Sequence, residues 1–137
     1  MKIAKGHCLC GSVKVSFPIE KEVFDACHCG MCRKWGGGPG LTVETGGKAK
    51  FEGEEFISVY DSSDWAQRGF CKQCGTHLFY RMKKGNFCNV PLGLLEQSED
   101  LKFHVQIYTD CKPKNYSFAD KTLKMTEAEV IAMFTGN

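Results

Sequence analysis

The stretch CKQCG, at positions 71–75, has the sequence of a zinc knuckle. A CxxCG turn directs two thiolates at one ion, because its backbone amides face the sulfurs and the glycine is free in φ. A knuckle supplies two ligands of a tetrahedral site, so two more must come from elsewhere in the chain. Two other segments are rich in cysteine: Cys8-Leu9-Cys10 and CHCGMCRKWG at positions 27–36.

The CxC pair near the start of the chain is suited to complete the knuckle. Residues i and i+2 of an extended segment lie on one face, so Cys8 and Cys10 can present both thiols together. With Cys71 and Cys74 they predict a closed four-thiolate zinc site joining segments about sixty residues apart, which suits a structural role. The alternative is that these thiols are free or differently paired.

The three cysteines of CHCGMC, at positions 27, 29 and 32, form the remaining cluster. Three protein ligands with one exchangeable position is the arrangement of catalytic zinc sites, so we predict a second zinc here with an open position. An iron–sulfur cluster is less favoured, because four thiolates are its usual requirement. The cations that follow, Arg33 and Lys34, either offset the thiolate charge, bind an anionic substrate, or form only a solvated turn.

Two residues are candidates to close this second site. Cys111 in TDCKPK would act as a fourth ligand, and ligation by Cys111 or His28 would make the site structural. Because His28 stands between two ligands, we expect its side chain to point away from them. Zinc, two ions per chain, is therefore the cofactor that the cysteine pattern predicts.

Length and charge restrict the class of protein. The 137 residues fit one domain, 1–137, and no apolar run is long enough for a signal peptide or a membrane span. Nine cysteines, an odd number without a secretion signal, argue against a disulfide framework and for a reducing, cytoplasmic setting. A net charge of +2 favours neither a nucleic-acid nor a membrane partner, and nothing indicates the oligomeric state.

Short strands and turns dominate the remaining pattern, which predicts a mainly β fold of small sheets. One helix is predicted, near the C-terminus, where Thr126 and Glu129 form a capping box before an apolar run. Residues 36–40 are predicted as loop and Gly46-Gly47 as a turn. The predicted strands are 12–17, 23–27, 41–44, 49–51, 56–60, 76–81, 86–92 and 104–108.

Four segments together resemble one family: GHCLCGSVKVSF, FDACHCGMCRKWGG, RGFCKQCGTHLFYR and FHVQIYTDCKPKNY. It is the glutathione-dependent formaldehyde-activating enzyme family, which includes centromere protein V, and the likeness runs from Gly6 to Tyr116. The resemblance implies an Mss4-like fold and a carbon–sulfur lyase that joins formaldehyde to glutathione or splits S-hydroxymethylglutathione. It also implies a structural zinc on Cys8, Cys10, Cys71 and Cys74 and a catalytic zinc on Cys27, Cys29 and Cys32.

The chain departs from the family pattern at two positions that bear on the substrate pocket. His7 stands where the family often has serine, and Tyr116 where tryptophan is common. Glutathione is the expected small-molecule partner, with Arg33 and Lys34 as candidates to bind its carboxylates. Two other functions compete with the lyase: a carrier or sensor that binds a thiol at zinc without turnover, and an interaction module in which zinc only staples the fold.

Overall fold

The computed structural model describes residues 2–135, which divide into two compact units. The first unit comprises residues 2–22 and 43–100, and the second comprises 23–42 and 101–135. Each unit contains one of the two cysteine clusters. No helix among the described residues has the length and apolar character needed to cross a membrane. The single domain expected from chain length stays a prediction.

Strands make up most of the regular structure, as the sequence predicts, and a short C-terminal helix is present. Helix α1 is Gly30–Gly36 and helix α2 is Glu127–Thr135, while single 3-10 turns occupy Glu54–Phe56, Leu92–Leu94 and Thr109–Cys111. The strands are β1 (Lys2–His7), β2 (Lys14–Ile19), β3 (Val23–Cys27), β4 (Gly40–Glu44), β5 (Lys50–Glu52), β6 (Ile57–Asp61), β7 (Ala66–Cys71), β8 (His77–Met82), β9 (Cys88–Pro91), β10 (Lys102–Ile107) and β11 (Leu123–Met125).

The first unit is built from antiparallel strands. One sheet has the order β1-β2-β5, and β9, β8, β7 and β6 pair in succession as a second antiparallel set. Alternate apolar residues of β2, Val15 and Phe17, are buried, as are Leu78 and Phe79 of β8. Cys8 and Cys71 lie in this same core with no exposed surface. Two cysteines of the cluster formed by Cys8, Cys10, Cys71 and Cys74 are therefore part of the hydrophobic core of the unit.

The second unit mixes parallel and antiparallel pairing. Strand β10 pairs in parallel with both β3 and β11, and β3 pairs antiparallel with β4. Phe103 stacks on Phe24 with ring centroids 4.9 Å apart and meets Phe118 edge-on at 5.1 Å. The buried set of this unit also includes two polar side chains, His28 and Gln106. Buried polar groups need partners, so these two residues are held by specific hydrogen bonds.

The prediction of a single helix was wrong, because α1 forms within the CHCGMCRKWG segment. Cys29 is its N-cap: the sulfur accepts a hydrogen bond from the Cys32 amide, a role usually filled by Ser, Thr, Asp or Asn. The helix ends at a left-handed Gly37. The loop predicted at 36–40 is correspondingly shorter, since Gly36 belongs to α1 and Gly40 to β4.

Three strands were not predicted: β1, β7 and β11. Strand β7 has the sequence AQRGFC, whose polar residues and glycine obscure the strand pattern. The glycine has a packing reason, because a Cβ on Gly69 would lie 2.3 Å from the Phe79 ring. Arg68 is buried as well and lies 5.0 Å from the centre of the Tyr80 ring. Tertiary contacts rather than local preference therefore make this segment a strand.

Candidate metal centres

The first cluster brings together the sulfurs of Cys8, Cys10, Cys71 and Cys74, all within 4.8 Å of one another. The Cys10 sulfur lies 3.6 Å from that of Cys8 and 3.7 Å from that of Cys71. A tetrahedral zinc with bonds of about 2.3 Å separates its sulfurs by about 3.8 Å. Both the spacing and the all-sulfur donor set therefore fit zinc.

Two tight turns build this cluster. Gly11 donates its amide to the Cys8 carbonyl at 3.0 Å, and Gly75 donates to the Cys71 carbonyl at 2.8 Å. Both glycines have positive φ, 81° and 78°, which a residue with a side chain rarely adopts. The CxC and CxxC segments thus fold into two tight turns, the first closed over three residues and the second over four, and the four sulfurs converge.

Hydroxyl groups around the cluster favour the thiolate form. The Thr76 hydroxyl lies 3.1 Å from the Cys74 sulfur, and hydrogen bonding to Thr76 lowers the pKa of Cys74 to about 5. Hydrogen bonding to Ser12 likewise lowers the pKa of Cys10. A thiol that ionises readily is a ready metal ligand, because the thiolate is the form that binds.

The second cluster contains Cys27, Cys29 and Cys32, whose sulfurs also lie within 4.8 Å of one another. Cys27 is the last residue of β3, Cys29 caps α1, and Cys32 lies in the first turn of that helix. The strand-to-helix turn therefore gathers three sulfurs over six residues. A Cβ placed on Gly40, which pairs with Cys27 in the neighbouring strand, would lie 3.7 Å from the Cys32 sulfur.

The electrostatic repulsion among the three sulfurs of this cluster favours a bound cation. Contact with the sulfurs of Cys29 and Cys32, together with burial, raises the pKa of Cys27 far above that of an ordinary thiol. Three thiolates at this spacing repel one another strongly unless a positive charge lies between them. A zinc ion supplies that charge and prefers sulfur ligands, so the residues fit the metal.

The two candidates for a fourth ligand both lie outside the group of three sulfurs, although the pKa of Cys111, raised by burial, is raised further by Cys29. Cys111 has its sulfur 3.5 Å from a carboxylate oxygen of Glu127. His28 is fully buried, and its side chain points away from the cysteines, as the sequence predicts. Neither side chain joins the group of ligand atoms that lie within 4.8 Å of one another, which among residues 2–135 consists of the three cysteine sulfurs.

The His28 ring belongs to a chain of hydrogen bonds. Its Nε2 lies 2.8 Å from Oε1 of Gln106, and the amide nitrogen of Gln106 donates to the Thr122 hydroxyl at 3.1 Å. Its Nδ1 lies 2.7 Å from the hydroxyl of Tyr116. Both ring nitrogens are therefore satisfied inside the protein.

A cleft of about 670 Å³ lies beside α1 in the second unit. Its volume is within the range of small-molecule sites. Its lining residues are Gly30, Arg33, Lys34, Gly37, Gly38, Pro39, Pro113, Asn115 and Tyr116. Four of these residues belong to α1 or its C-cap: Gly30, Arg33, Lys34 and Gly37. They are spaced three or four residues apart along the helix and therefore lie on one of its faces. The Cys32 position lies on another face, and no cysteine is among the lining residues.

Both cations singled out in the sequence, Arg33 and Lys34, line this cleft. Arg33 is held in place, because Nε donates to the His28 carbonyl at 3.0 Å and an Nη donates to the Cys111 carbonyl at 3.4 Å. Lys34 is exposed. No acidic residue lines the cleft in the described part of the chain, so its charge favours an anionic ligand.

Sequence reasoning did not find the roles of Gln106 and Thr122. Each is an ordinary polar residue in sequence, and no motif marks it. Gln106 is placed by the parallel pairing of β10 with β3, which brings it opposite Ala26 and within reach of His28. Tyr116 was noticeable only as a departure from a family pattern.

The chain matches a family model. Residues 3–111 match the model described as glutathione-dependent formaldehyde-activating enzyme. A Schizosaccharomyces pombe protein named as an uncharacterized lyase is 34% identical over 128 residues, 93% of either chain. A Halomonas elongata protein named as a putative glutathione-dependent formaldehyde-activating enzyme is 29% identical over 86 residues, with 56% of this chain and 55% of that protein covered.

A solved structure also shares the fold. The crystal structure of a Rhodobacter sphaeroides protein superposes with a TM-score of 0.59 at 20% sequence identity. The match covers 72% of this chain and 98% of that one. At this level of identity the likeness concerns the fold alone.

Proposed function

The chain belongs to the glutathione-dependent formaldehyde-activating enzyme family, and from that premise we propose that it is a zinc-dependent carbon–sulfur lyase. Its proposed substrate is the adduct of glutathione with formaldehyde or a related small aldehyde. The proposed site is the cluster of Cys27, Cys29 and Cys32, and the cluster of the first unit has a structural role.

The observation that carries this proposal is the make-up of the second cluster. Three sulfurs converge there, while the two candidates for a fourth ligand have other partners: His28 bonds to Gln106 and Tyr116, and the Cys111 sulfur contacts Glu127. Three protein ligands are typical of catalytic rather than structural zinc sites. The four-sulfur cluster has the complementary character, with its ligand set complete.

Zinc held by these three cysteines would stabilise the sulfur of a thiol substrate as thiolate, a role that suits an electron-rich three-thiolate ion better than polarising a carbonyl. In the splitting direction the carbon–sulfur bond breaks and its electron pair stays on sulfur. The hydroxyl oxygen becomes the carbonyl oxygen of the aldehyde, and its proton passes to solvent. No oxidant or reductant is needed.

The residues around the cluster supply binding and orientation. Arg33 and Lys34 present positive charge along the cleft, where the carboxylates of glutathione would bind. Contacts to the His28 and Cys111 carbonyls fix the guanidinium before substrate arrives. Such pre-organisation lowers the entropic cost of placing thiol and aldehyde together, and that placement is the main demand of a reaction between two reactive partners.

The nine free thiols are consistent with a reducing compartment, and we propose a cytoplasmic location, where glutathione is kept reduced. The Mss4-like character of the fold and the identity of the metal belong to the same proposal. Metal analysis of the purified protein tests the latter directly, with two zinc ions per chain as the expected result.

The test of function is calorimetric titration of glutathione into zinc-loaded protein. Cys29→Ser removes one ligand of the second cluster, and Cys88→Ser is the matched control, because Cys88 belongs to neither cluster. We expect saturable binding to the wild type and to Cys88→Ser, and none to Cys29→Ser. No binding to fully loaded wild type would exclude glutathione as the ligand.

Turnover separates the lyase from the thiol carrier. We expect the zinc-loaded protein to accelerate both formation and splitting of S-hydroxymethylglutathione above the spontaneous rate, and Cys29→Ser to leave only that rate. Tight binding of glutathione without acceleration would instead favour the carrier or sensor.

A further inference from the structure

We propose that Tyr116 binds the hydroxyl group of the thiol–aldehyde adduct and so lets the site distinguish this adduct from a thioether of the same shape that lacks the hydroxyl. His28 is the positioning residue that holds the Tyr116 hydroxyl for this contact. The inference rests on the proposed function and goes beyond it, because it assigns the recognition of the aldehyde-derived half of the substrate.

The direction of each hydrogen bond follows from the Gln106 amide. Its nitrogen donates to the Thr122 hydroxyl, which leaves Oε1, an acceptor, facing His28. Nε2 of His28 must therefore carry the hydrogen that bonds to Gln106. In the neutral imidazole Nδ1 then has only a lone pair, and it accepts the hydrogen of the Tyr116 hydroxyl, 2.7 Å away.

This arrangement commits the one hydrogen of the Tyr116 hydroxyl to the protein interior. The oxygen keeps acceptor capacity that His28 does not use. His28 has no exposed surface, whereas Tyr116 is half-buried and lines the cleft. Toward a ligand in the cleft, the phenol oxygen therefore acts as a hydrogen-bond acceptor, which selects a ligand group that donates.

Tyr116 connects the cleft to the segment that carries the second cluster, because it lines the cleft and its hydroxyl bonds His28, which stands between Cys27 and Cys29. Burial raises the pKa of Tyr116, the positive charge of Arg33 lowers it, and the Cys27 sulfur raises it again. Arg33 and Tyr116 line the same cleft, so a ligand whose carboxylate binds Arg33 lies within reach of the Tyr116 hydroxyl.

The rest of the Tyr116 side chain is fixed as well. The Lys112 ammonium lies 5.0 Å from the ring centre and also bonds the Tyr116 carbonyl, while Phe118 meets the ring edge-on at 6.4 Å. These contacts keep the ring in place when the hydroxyl is removed. Tyr116→Phe therefore removes the hydroxyl while these contacts hold the ring, and it also leaves Nδ1 of His28 without its partner, so affinity for glutathione itself is the internal control for a structural effect.

The adduct offers the group that such an acceptor selects. S-hydroxymethylglutathione has a hydroxyl on the carbon next to sulfur, and S-methylglutathione has the same skeleton without it. A site that accepts a hydrogen bond from a substrate hydroxyl disfavours the analogue lacking it, because the bound analogue covers the acceptor without giving it a partner.

The experiment compares affinities for three ligands: glutathione, S-methylglutathione, and glutathione with saturating formaldehyde. It uses zinc-loaded wild type, Tyr116→Phe, and the control Tyr60→Phe, whose ring is exposed on β6 in the first unit. We expect wild type and Tyr60→Phe to bind the hydroxymethyl adduct about tenfold more tightly than the methyl thioether. In Tyr116→Phe that ratio should fall to about one, with affinity for glutathione itself changed by less than about twofold.

The outcomes separate this inference from the proposed function. A tenfold preference that persists in Tyr116→Phe overturns the role of Tyr116 and leaves the lyase intact. An equal loss of affinity for all three ligands in Tyr116→Phe also overturns it, because the hydroxyl would then have only a structural role. Failure of the wild type to bind any of the three overturns both proposals together. The preference is an equilibrium readout, so it tests Tyr116 even if the protein is a carrier without turnover.

Discussion

Arg33 should contribute far more to glutathione binding than Lys34, although the two are adjacent and both line the cleft. Arg33 is half-buried and anchored to two backbone carbonyls, whereas Lys34 is exposed. A charge-assisted hydrogen bond from an anchored donor contributes about 1.5–3 kcal/mol, and an exposed charge pair contributes about 0.2–1 kcal/mol. Arg33→Ala should therefore weaken glutathione binding by roughly 10- to 150-fold, and Lys34→Ala by less than about fivefold.

Arg33→Lys distinguishes charge from geometry. A lysine keeps the positive charge but lacks the planar fork that donates to the His28 and Cys111 carbonyls while still facing a ligand. We expect its affinity to lie between those of the wild type and Arg33→Ala. The measurement is calorimetric titration with glutathione and with its diethyl ester, which carries no carboxylate.

The ester should bind the wild type and Arg33→Ala with similar, weak affinity. Raising the salt concentration should reduce the affinity of the wild type more than that of Arg33→Ala, because salt screens the charge that the variant lacks. The reasoning is refuted if Lys34→Ala costs as much as Arg33→Ala, or if the diester binds the wild type as tightly as glutathione does.

Cys71→Ser should lower the melting temperature of the zinc-loaded protein by at least about 10 °C, because a buried metal ligand is lost. The control Cys88→Ser should change it by only a few degrees. Equal shifts of the two variants in differential scanning calorimetry would argue against a structural zinc. In metal-free protein at pH 6.5, iodoacetamide should modify Cys74 before Cys88, because a threonine hydroxyl lowers the pKa of Cys74 to about 5 while burial raises that of Cys88. Peptide mass spectrometry gives the order, and the preference for Cys74 should disappear as pH falls through about 5. Gly6→Ala should destabilise the fold by about 1–3 kcal/mol in urea, since its Cβ would lie 2.2 Å from the Leu94 carbonyl oxygen; an unchanged midpoint contradicts that packing.

The local sequence was sufficient to predict the cysteine motifs and most of the strands. The CxC and CxxC spacings fix how far apart neighbouring sulfurs can be, and the left-handed Gly11 and Gly75 provide the turns. The partition into four and three cysteines, predicted from spacing, is the grouping that the structure contains. The capping box was equally local, since Thr126 and Glu129 exchange hydrogen bonds at the start of α2.

Helix α1 shows where local reasoning failed. Its seven residues include glycines at both ends, and its N-cap is a cysteine, so neither propensity nor a usual capping residue marks it. The Cys32 amide bonds to the Cys29 sulfur, so the metal-binding motif and the helix start are one feature. This turn also brings Arg33 and Lys34 onto the cleft.

The amino-acid sequence by itself determined the ligand chemistry, because the spacing within each cysteine motif lets neighbouring thiols reach one ion, although folding must still bring the CxC and CxxC motifs together. Only the tertiary structure decided which polar groups surround the second cluster. The pairing of β10 with β3 places Gln106 against His28, and a later segment returns Tyr116 to the same imidazole from 88 positions along the chain. Contacts between residues so far apart depend on strand register and buried hydrogen bonding, which no short motif encodes.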